Sequence, residues 1–565
     1  MKLSKLLPLC IAGAFSLSQA VLDLPNAQPK IDASYWKPVL DSTWKGLIRR
    51  NIDPYNAGKG LIHRPKSETP GDAVSEAVGY GMLVALYAND QQTFNTIWDA
   101  ANEKMWASCY YNWQMAPDGN ISGTGAATDA EEDVALALIF ANKLVSAGKW
   151  QPYTSKKFKY GYADHAKKIL DCMWNTEQIT SGGILAPGAG WGGDAFVNPG
   201  YFSPAWYKIF AKFDSNGDRW NKVVEKTYEI LANSPGYNIG MIPDWMTPSG
   251  GWVNSGLGYN AYFDSRAFFK DAIRILWRVA IDAIWFNESR AKAFLTNALT
   301  FINGKGGAAA SNFYQIENPG ELLPADDIWT DFNDSKNKDT WRYRREHSHL
   351  TIGMWATAAV AVGESKDRID FSQEMMKFYE GGDYFGNAVD PTGGIEDTLH
   401  NEMYFDQFLA WFGTSMMSGT FVNVIDAIDN PKTPTEGDKS PSSSSNNESS
   451  SSSSAATPGS SASQNAPVNS SNSSEGGKSS DSKNDSHEPA SIALVKQANI
   501  QFMQMQNRVF FSLPYSATWN IYDTRGQKIA TAFGKDFLWK GANKGIYVVV
   551  AQSKSNRLVR KINVR

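Results

Sequence analysis

Three segments of the chain, 75–86, 127–140 and 271–282, have helical spacing, are apolar on every side and carry an acid at their start. These acids are Glu76, Asp129 and Asp271. A helix that is hydrophobic all round has to be enclosed by other structure. An acid in its first turn then lies at the rim of a packed core, where burial and neighbouring charges adapt a carboxyl group to proton transfer. If the helices run parallel, the three acids meet at one end of the fold, and the pattern predicts a hydrolase site built on two carboxylates.

Helical patterns extend over the region 21–431. Further helices are predicted near residues 94–105, 162–174, 220–233, 288–302, 349–362 and 405–417. Strand patterns are sparse there, and the long connections are rich in Gly, Pro and Asn. We therefore predict an all-α domain whose loops carry the function. No fixed repeat length indicates a solenoid.

Composition excludes some functions and leaves others open. The net charge of −4 gives no electrostatic signature of nucleic-acid binding. Aromatic residues make up 13% of the chain, with 20 Trp, and flat rings can stack on sugars or fill a core; composition alone favours the core. No spacing of Cys and His indicates zinc, and we predict neither a metal nor an organic cofactor. Cys109 and Cys172 could pair in an oxidising compartment.

The first twenty residues predict a secretory signal peptide. Lys2 and Lys5 precede an apolar stretch at 6–17, and small residues at 18–20 predict a cleavage site. The stretch is too short to span a bilayer, and no later segment is a convincing membrane helix. We predict an exported, soluble protein that is secreted or held at the cell surface. The sequence carries no signal for an oligomer, and a monomer is expected.

The last part of the chain changes character twice. Residues 432–490 are about half serine and cannot bury enough apolar surface to fold, so a disordered linker is predicted. Residues 491–565 contain short strand patterns at 508–513, 518–522, 545–550 and 558–564, which predict a small β-sandwich. This segment resembles C-terminal sorting domains of exported bacterial proteins, and the resemblance implies contact with export machinery. A carbohydrate-binding module is the alternative; sorting is favoured because the aromatic residues do not line up on one strand face.

The run at 127–135, Ala-Thr-Asp-Ala-Glu-Glu-Asp-Val-Ala, closely resembles the signature of glycoside hydrolase family 8. Blocks at 75–82, 198–207, 243–245 and 271–286 agree with the same family, and 404–407 with 418–421 is a weaker match. In order and spacing these blocks extend over nearly all of 21–431. The resemblance implies an (α/α)6 barrel and inverting hydrolysis of β-1,4-linked polysaccharides, with water as co-substrate.

Inverting hydrolysis explains the residue types. One protonated carboxyl donates a proton to the leaving oxygen, and one carboxylate activates water on the opposite face of the sugar. The two carboxyl groups are about 6.5–9.5 Å apart. By match to the family motif, Glu76 is the general acid and Asp271 the general base. Asp129 would hold the sugar at the cleavage point and keep Glu76 protonated by like-charge repulsion. A helix dipole at Glu76 would oppose this by lowering its pKa.

Each of these acids also has a structural interpretation. Glu76 could cap its helix, and Asp129 could serve only to stabilise the positive end of the helix dipole. Thr128 and Glu131 fit a capping box, which makes Glu131 structural. Asp264 repeats part of the motif seven residues before Asp271 and is its rival as base. Asp271 is favoured because it keeps the motif's distance to the residues that follow it.

Residues that would bind the substrate are predicted around these acids. Arg274 is expected to pair with a carboxylate in the cleft. Candidates for stacking on sugar rings are Trp113, Tyr201, Trp206 and Tyr404. Core packing is an equal alternative for the first two and is favoured for the other two. Lys270, directly before the proposed base, departs from the aromatic residue expected in glucanases and makes the substrate preference less secure.

The predicted function is a secreted endo-β-1,4-glucanase acting on cellulose or mixed-linkage β-glucan, because the form of the 127–135 run is closer to the cellulase branch of the family. An endo-β-1,4-xylanase is the alternative, followed by a chitosanase. A non-catalytic polysaccharide-binding protein on the same fold is a different class of hypothesis. The acids retained at all three motif positions argue against it.

Overall fold

The computed structural model describes residues 21–64, 71–253, 266–311, 313–316, 321–322, 347–379, 383–386, 404–431, 501–505, 508–525, 527–540, 544–553 and 557–564. These residues belong to two compact units, one within Met1–Lys439 and one within Ser440–Arg565. The predicted signal peptide, the predicted linker and Asp264 lie outside the described residues. Among the residues described, no helix has the length and apolarity that crossing a bilayer requires.

The first unit is built from α-helices. In its described residues they are α1 (Ala33–Leu47), α2 (Ser75–Tyr87), α3 (Gln91–Lys104), α4 (Thr128–Ser146), α5 (Tyr162–Asn175), α6 (Pro204–Phe213), α7 (Asp218–Asn233), α8 (Arg274–Trp285), α9 (Ser289–Gly304), α10 (His349–Val362), α11 (Ser365–Met376), α12 (Tyr404–Met417) and α13 (Val424–Asp429). All nine predicted helices are present. Of the others, α1, α6, α11 and α13 were not predicted.

Six of these helices form a closed inner ring. Along the chain α2, α4, α6, α8, α10 and α12 each contact the next, and α12 returns to contact α2. The alternate helices α1, α3, α5, α7, α9 and α11 pack on the outside of this ring. Two concentric rings of six helices are an (α/α)6 barrel, which confirms the predicted fold class.

The sequence distinguishes inner from outer helices. Helix α2 buries every residue except Glu76, and α10 buries all of 349–360, as expected for helices enclosed on every side. Helix α7 instead buries one face through Trp220, Val223, Val224, Thr227, Tyr228, Ile230 and Leu231. This three-to-four-residue spacing is typical of a helix with one solvent-facing side.

Two glycines allow the inner helices α10 and α12 to approach closely. A Cβ atom on Gly413 of α12 would lie 2.4 Å from the carbonyl oxygen of Gly353 on α10. Such a contact is too short for any side chain, so a residue larger than glycine would separate the two helices.

Two small antiparallel sheets lie in loops that precede inner helices. Strands β1 (Ala73–Val74), β2 (Gln114–Met115) and β3 (Ile121–Gly123) form one sheet immediately before α2. Strands β4 (Ala267–Phe268) and β5 (Tyr314–Gln315) form the other, shortly before α8. These sheets fix the backbone next to the starts of two acid-bearing segments.

Cys109 and Cys172 form a disulfide, with 5.3 Å between their Cα atoms. It joins the loop after α3 to α5 and closes a loop of 63 residues. The pairing considered from the sequence is therefore present. In the chain-entropy description, a cross-link over such a loop disfavours the unfolded state by about 4 kcal/mol.

The second unit is a small β domain. Its strands are β6 (Gln501–Met505), β7 (Arg508–Tyr522), β8 (Lys528–Lys540), β9 (Gly545–Gln552) and β10 (Arg557–Val564). Two segments predicted as separate strands, 508–513 and 518–522, are the two halves of β7, and β6 and β8 were not predicted. A shift in register between Ser512 and Ala517 separates the halves of β7. The first half of β7 pairs with β6 and the second half pairs with β9, so one long strand forms hydrogen bonds with a different neighbour in each half.

The β domain encloses its own core. Phe511, Trp519, Val549 and Ile562 are buried in it. The rings of Trp539 on β8 and Tyr547 on β9 lie 4.9 Å apart although these two strands are not hydrogen-bonded to each other. The sheet therefore folds over itself, in agreement with the small β-sandwich expected from the sequence.

We expect the double substitution Cys109→Ala/Cys172→Ala to lower the melting temperature of the helical unit. A loss of about 4 kcal/mol in a domain of this size corresponds to about 5 °C. Thermal unfolding with and without reductant provides the check: reductant should lower the melting temperature of the wild type and leave the double variant unchanged. Equal melting temperatures for both proteins under oxidising conditions would contradict the prediction.

Candidate active site

The three acids identified from the sequence meet at one buried arginine. Glu76 lies in the first turn of α2 and Asp129 in the first turn of α4. Asp271 lies in the turn before α8, which begins at Arg274 rather than at Asp271 as predicted. The backbone N–H of Ala272 in this turn donates to the Asp244 carboxylate (2.7 Å).

Arg274 connects the three carboxylates. Its Nη1 lies 2.6 Å from Glu76 Oε2 and 2.9 Å from Asp129 Oδ2, and its Nη2 lies 3.0 Å from Asp271 Oδ1. Its Nε donates to the Asp271 carbonyl oxygen (3.1 Å). The guanidinium is fully buried, and the ring of Tyr201 lies 4.8 Å from its central carbon, a cation–π distance. The expected pairing of Arg274 with carboxylates in the cleft is confirmed.

These contacts limit the distance between Glu76 and Asp271. The two terminal nitrogens of a guanidinium are bonded to one carbon in a rigid plane, so the two carboxylate oxygens that contact them are at most about 8 Å apart. That upper limit falls within the separation of about 6.5–9.5 Å typical of inverting glycosidases. Both carboxyl groups are therefore close enough to act on a single glycosidic bond.

Two residues of one other loop fix the position of Asp271. Asn198 Nδ2 donates to Asp271 Oδ2 (2.8 Å). Gly200 lies directly against the Asp271 backbone, because a Cβ atom added there would be 2.0 Å from the Asp271 carbonyl oxygen. The side chain of Asp271 remains 34% exposed, so water can reach it.

Glu76 is less hydrated, with 17% of its side chain exposed. Its Oε1 accepts a hydrogen bond from the Tyr404 hydroxyl at the start of α12. Burial raises the pKa of Glu76; Arg274 and Tyr404 oppose this rise, while the charge of Asp271 adds to it. Burial therefore outweighs the cation and the hydroxyl group that stabilise the ionised carboxylate.

Asp129 is almost completely buried, and this burial raises its pKa well above the ordinary range. Arg274 opposes that rise, whereas the negative charge of Glu76 adds to it. Three carboxyl groups around one cation cannot all ionise without strong mutual repulsion in a site shielded from water. The cluster therefore retains protons above the pH at which exposed carboxyl groups lose theirs.

The predicted capping box on α4 does not form. Ala127 is the N-cap of the helix, no side chain caps it, and Thr128 is buried. Glu131 is buried as well, and its Oε1 accepts a hydrogen bond from the backbone N–H of Tyr111 (2.9 Å). Burial raises the pKa of Glu131 to about 8. Its role is structural as predicted, but it anchors the loop after α3 instead of capping its own helix.

That loop carries Trp113, whose side chain is 40% exposed. The Trp113 carbonyl accepts a hydrogen bond from the backbone N–H of Ser75, the residue before Glu76 (3.0 Å), and its ring lies against Gly123. Of the stacking candidates, Trp113 therefore presents a ring beside the acids, whereas Tyr201 faces Arg274 and Tyr404 bonds to Glu76. Core packing was an equal alternative for Trp113 and Tyr201 and the favoured interpretation of Tyr404.

Several residues at the site were not singled out from the sequence. Asn198, Gly200 and Asp244 lie in blocks that match the family, yet their contacts are with Asp271 and Ala272, distant in sequence. Trp191 is 46% exposed and packs against Phe196 and Trp245, the neighbour of Asp244. An aromatic residue in a Gly-rich loop was the available signal for Trp191, but it is not specific.

Comparison with known proteins agrees with this arrangement. The model of "Glycosyl hydrolases family 8" matches residues 54–303. The chain is 33% identical to "Endoglucanase 2" of Ruminiclostridium josui over 357 residues, which cover 62% of this chain and 69% of that protein. It is 29% identical to the "Reducing end xylose-releasing exo-oligoxylanase" of Halalkalibacterium halodurans over 406 residues, 67% of this chain and 88% of that protein.

The fold is also found in solved structures. Rex8A from Paenibacillus barcinonensis, solved with xylose, superposes with a TM-score of 0.55 at 21% identity and covers 71% of this chain and 97% of its own. At this identity the likeness concerns the fold alone. The extent and identity of the match to Endoglucanase 2, together with the family model, establish that this chain belongs to glycosyl hydrolases family 8.

Proposed function

We propose that this protein is an inverting endo-β-1,4-glucanase that hydrolyses cellulose or mixed-linkage β-glucan, with Glu76 as general acid and Asp271 as general base. The observation that carries the proposal is the contact of both carboxyl groups with the single guanidinium of Arg274. This contact keeps two carboxyl groups of different hydration within about 8 Å of each other, close enough to act on one glycosidic bond.

The environment of Glu76 suits a proton donor. Its raised pKa keeps the carboxyl group protonated at a pH where an exposed glutamic acid is ionised. The Tyr404 hydroxyl and Arg274 hold its two oxygens in place, so the group is oriented before substrate arrives. A protonated carboxyl fixed in this way can donate its proton to the leaving glycosidic oxygen as the glycosidic bond breaks.

The environment of Asp271 suits a base that activates water. Asn198 binds Oδ2 and Arg274 lies at Oδ1, yet a third of the side chain is open to solvent. A water molecule bound there can lose a proton to the carboxylate as its oxygen attacks the anomeric carbon. Asp129, buried against the same guanidinium, would contact the sugar at the cleavage point.

Exposed tryptophans favour a polysaccharide substrate. The loops that carry Trp113 and Trp191 both contact the segment before α4: Trp113 N–H donates to Gly125, and Thr128 N–H donates to Pro187. Sugar rings stack on such aromatic surfaces. Similarity to Endoglucanase 2 supports a glucan. The match to a xylose-releasing exo-oligoxylanase, over more residues, supports a xylan-derived substrate as the second candidate.

Export belongs to the same proposal. A polymeric substrate is met outside the cell, the first twenty residues have the pattern of a signal peptide, and the Cys109–Cys172 disulfide suits an oxidising compartment. We assign 21–431 to the catalytic domain, 432–490 to a linker and 491–565 to a domain that contacts export machinery.

The proposal is tested by release of reducing sugar from carboxymethyl-cellulose, lichenan, xylan and chitosan. We expect the highest activity on a β-glucan, and NMR of the first products should show the inverted anomer. Highest activity on xylan would establish the second candidate. Binding without hydrolysis of any of the four polymers would overturn the assignment as an enzyme of this specificity.

Substitution of the two acids separates their roles. Glu76→Gln should lower kcat on polysaccharide about a hundred- to ten-thousandfold but leave hydrolysis of 2,4-dinitrophenyl β-cellobioside largely intact, because this leaving group needs no proton. Asp271→Asn should abolish activity on both substrates, since both need activated water. Asp282→Asn, a buried carboxyl paired with Lys208 away from the cluster, is the matched control. A fully active Asp271→Asn would contradict the assignment of the base and favour Asp264.

The close contact at Gly200 predicts a second loss of function. In Gly200→Ala the new methyl group collides with the Asp271 backbone, which cannot give way as a flexible side chain would. A displacement of about 1 Å at the base should cost about a hundredfold in kcat. Gly304→Ala is the control, because nothing lies within 4 Å of a Cβ atom at that exposed helix end. Wild-type kcat in Gly200→Ala would show that the contact does not position the base.

The hydrogen bond from Tyr404 predicts a change in the pH dependence. It favours the ionised form of Glu76 and so lowers its pKa. In Tyr404→Phe the pKa of Glu76 should rise, the carboxyl should stay protonated to higher pH, and the alkaline limb of the kcat profile should move upward. A limb that moves to lower pH would mean that another group controls it.

A further inference from the structure

A second buried ion pair lies one helical turn below the cluster. Arg278 follows Arg274 by four residues on α8, and Asp133 follows Asp129 by four on α4. Arg278 Nη1 and Nη2 bind the two oxygens of Asp133 at 2.5 Å and 2.9 Å. Both side chains are buried. None of these atoms belongs to the three acids around Arg274, so the catalytic assignment above leaves the pair without a role.

Glu132 extends this pair to a third element. It is fully buried and hydrogen-bonds to the hydroxyl groups of Ser203 (2.5 Å) and Tyr207 (2.9 Å). Arg278 Nη1 also donates to Ser203 Oγ (2.7 Å). Ser203 is thus held from two sides, by an arginine of α8 and by a glutamic acid of α4. We name this group of four residues the lower layer: Glu132, Asp133, Arg278 and Ser203.

Ser203 ends the segment that positions the proposed base. Within residues 198–203, Asn198 donates to the Asp271 carboxylate, Gly200 lies against its backbone, and Tyr201 covers the guanidinium of Arg274. A shift of Ser203 would move these three contacts together, because only four residues separate it from Asn198. The hydrogen bonds of Glu132 and Arg278 to Ser203 Oγ oppose such a shift.

We propose that the lower layer positions the 198–203 segment and, through Asn198, holds Asp271 in line for water activation. Glu132 is its key positioning residue. The inference rests on the proposed role of Asp271. Stability alone does not require these three buried ionisable groups, since replacing such groups with apolar ones often leaves stability unchanged or improved.

The test compares Glu132→Leu with Glu132→Gln. Burial raises the pKa of Glu132 to about 8, which favours its neutral form, and glutamine is a neutral side chain of the same size whose amide keeps an oxygen acceptor for one of the two hydroxyl groups. Leucine keeps the volume but removes both hydrogen bonds. Asp282→Asn again serves as the control, because Asp282 is an equally buried carboxyl on α8 that contacts Lys208 and Tyr228 instead of the lower layer.

In Glu132→Leu we expect kcat to fall about 10- to 100-fold with KM within about twofold, equally on polysaccharide and on 2,4-dinitrophenyl β-cellobioside. Equal loss on both substrates identifies the base side, because only the polysaccharide needs the acid. Glu132→Gln should stay within about threefold of wild type. Hydrogen exchange of peptides covering 198–203 should be faster in Glu132→Leu and unchanged in Asp282→Asn.

Wild-type kcat in a folded Glu132→Leu, or a loss confined to the polysaccharide, would overturn the inference. If Glu132→Leu does not fold, Ser203→Ala removes a single oxygen and must show the same equal loss on both substrates. An inactive wild type would instead refute the proposed function, so the two failures are distinguishable. A further check is the double variant Glu132→Leu/Asn198→Ala: its loss should be smaller than the product of the single losses if Glu132 acts through Asn198.

Discussion

The site depends on one buried cation. Arg274 is fully enclosed, and an unpaired guanidinium there would be strongly destabilising, so the carboxylates that surround it are a condition of folding. Because three carboxyl groups share one positive charge, they cannot all be ionised. Arg274 therefore has two effects. It limits the distance between Glu76 and Asp271, and its single positive charge cannot balance the negative charge of three ionised carboxylates. Geometry and protonation at this site follow from the same interaction.

The barrel explains how segments far apart in sequence reach that cation. The starts of α2, α4 and α12 and the turn before α8 meet at Arg274, and the enclosed inner helices leave these ends little freedom to move. Helical periodicity then repeats the arrangement one turn lower, because residues four apart lie on the same helix face. Asp129 and Asp133 on α4 oppose Arg274 and Arg278 on α8, which gives two stacked arginine–carboxylate contacts across the barrel interior.

Much of this fold could be predicted because enclosed helices are visible in sequence as segments apolar on every side. The same segments marked Glu76 and Asp129, and the motif marked Asp271. What failed were local patterns that tertiary contacts override. Thr128 and Glu131 have the spacing of a capping box, but Glu131 bonds to the backbone of Tyr111 in another loop. Asp271 was expected inside its helix, yet the helix begins at Arg274, and the N–H of Ala272 in the preceding turn donates to Asp244. Neither partner is near in sequence, so no local rule could have named it.

The proposed division of labour between acid and base does not come from residue type or from distance to charge, because Glu76 and Asp271 contact the same guanidinium at similar distances. It comes from hydration. Glu76 has half the exposure of Asp271, and the loss of water raises its pKa in spite of the cation and the Tyr404 hydroxyl. Asp271 keeps access to solvent. Its neighbours fix it by a hydrogen bond to one carboxylate oxygen and by contacts with its backbone carbonyl group. A common cation thus places two carboxyl groups in unlike surroundings. In this way one site holds a proton donor and a proton acceptor at the same pH.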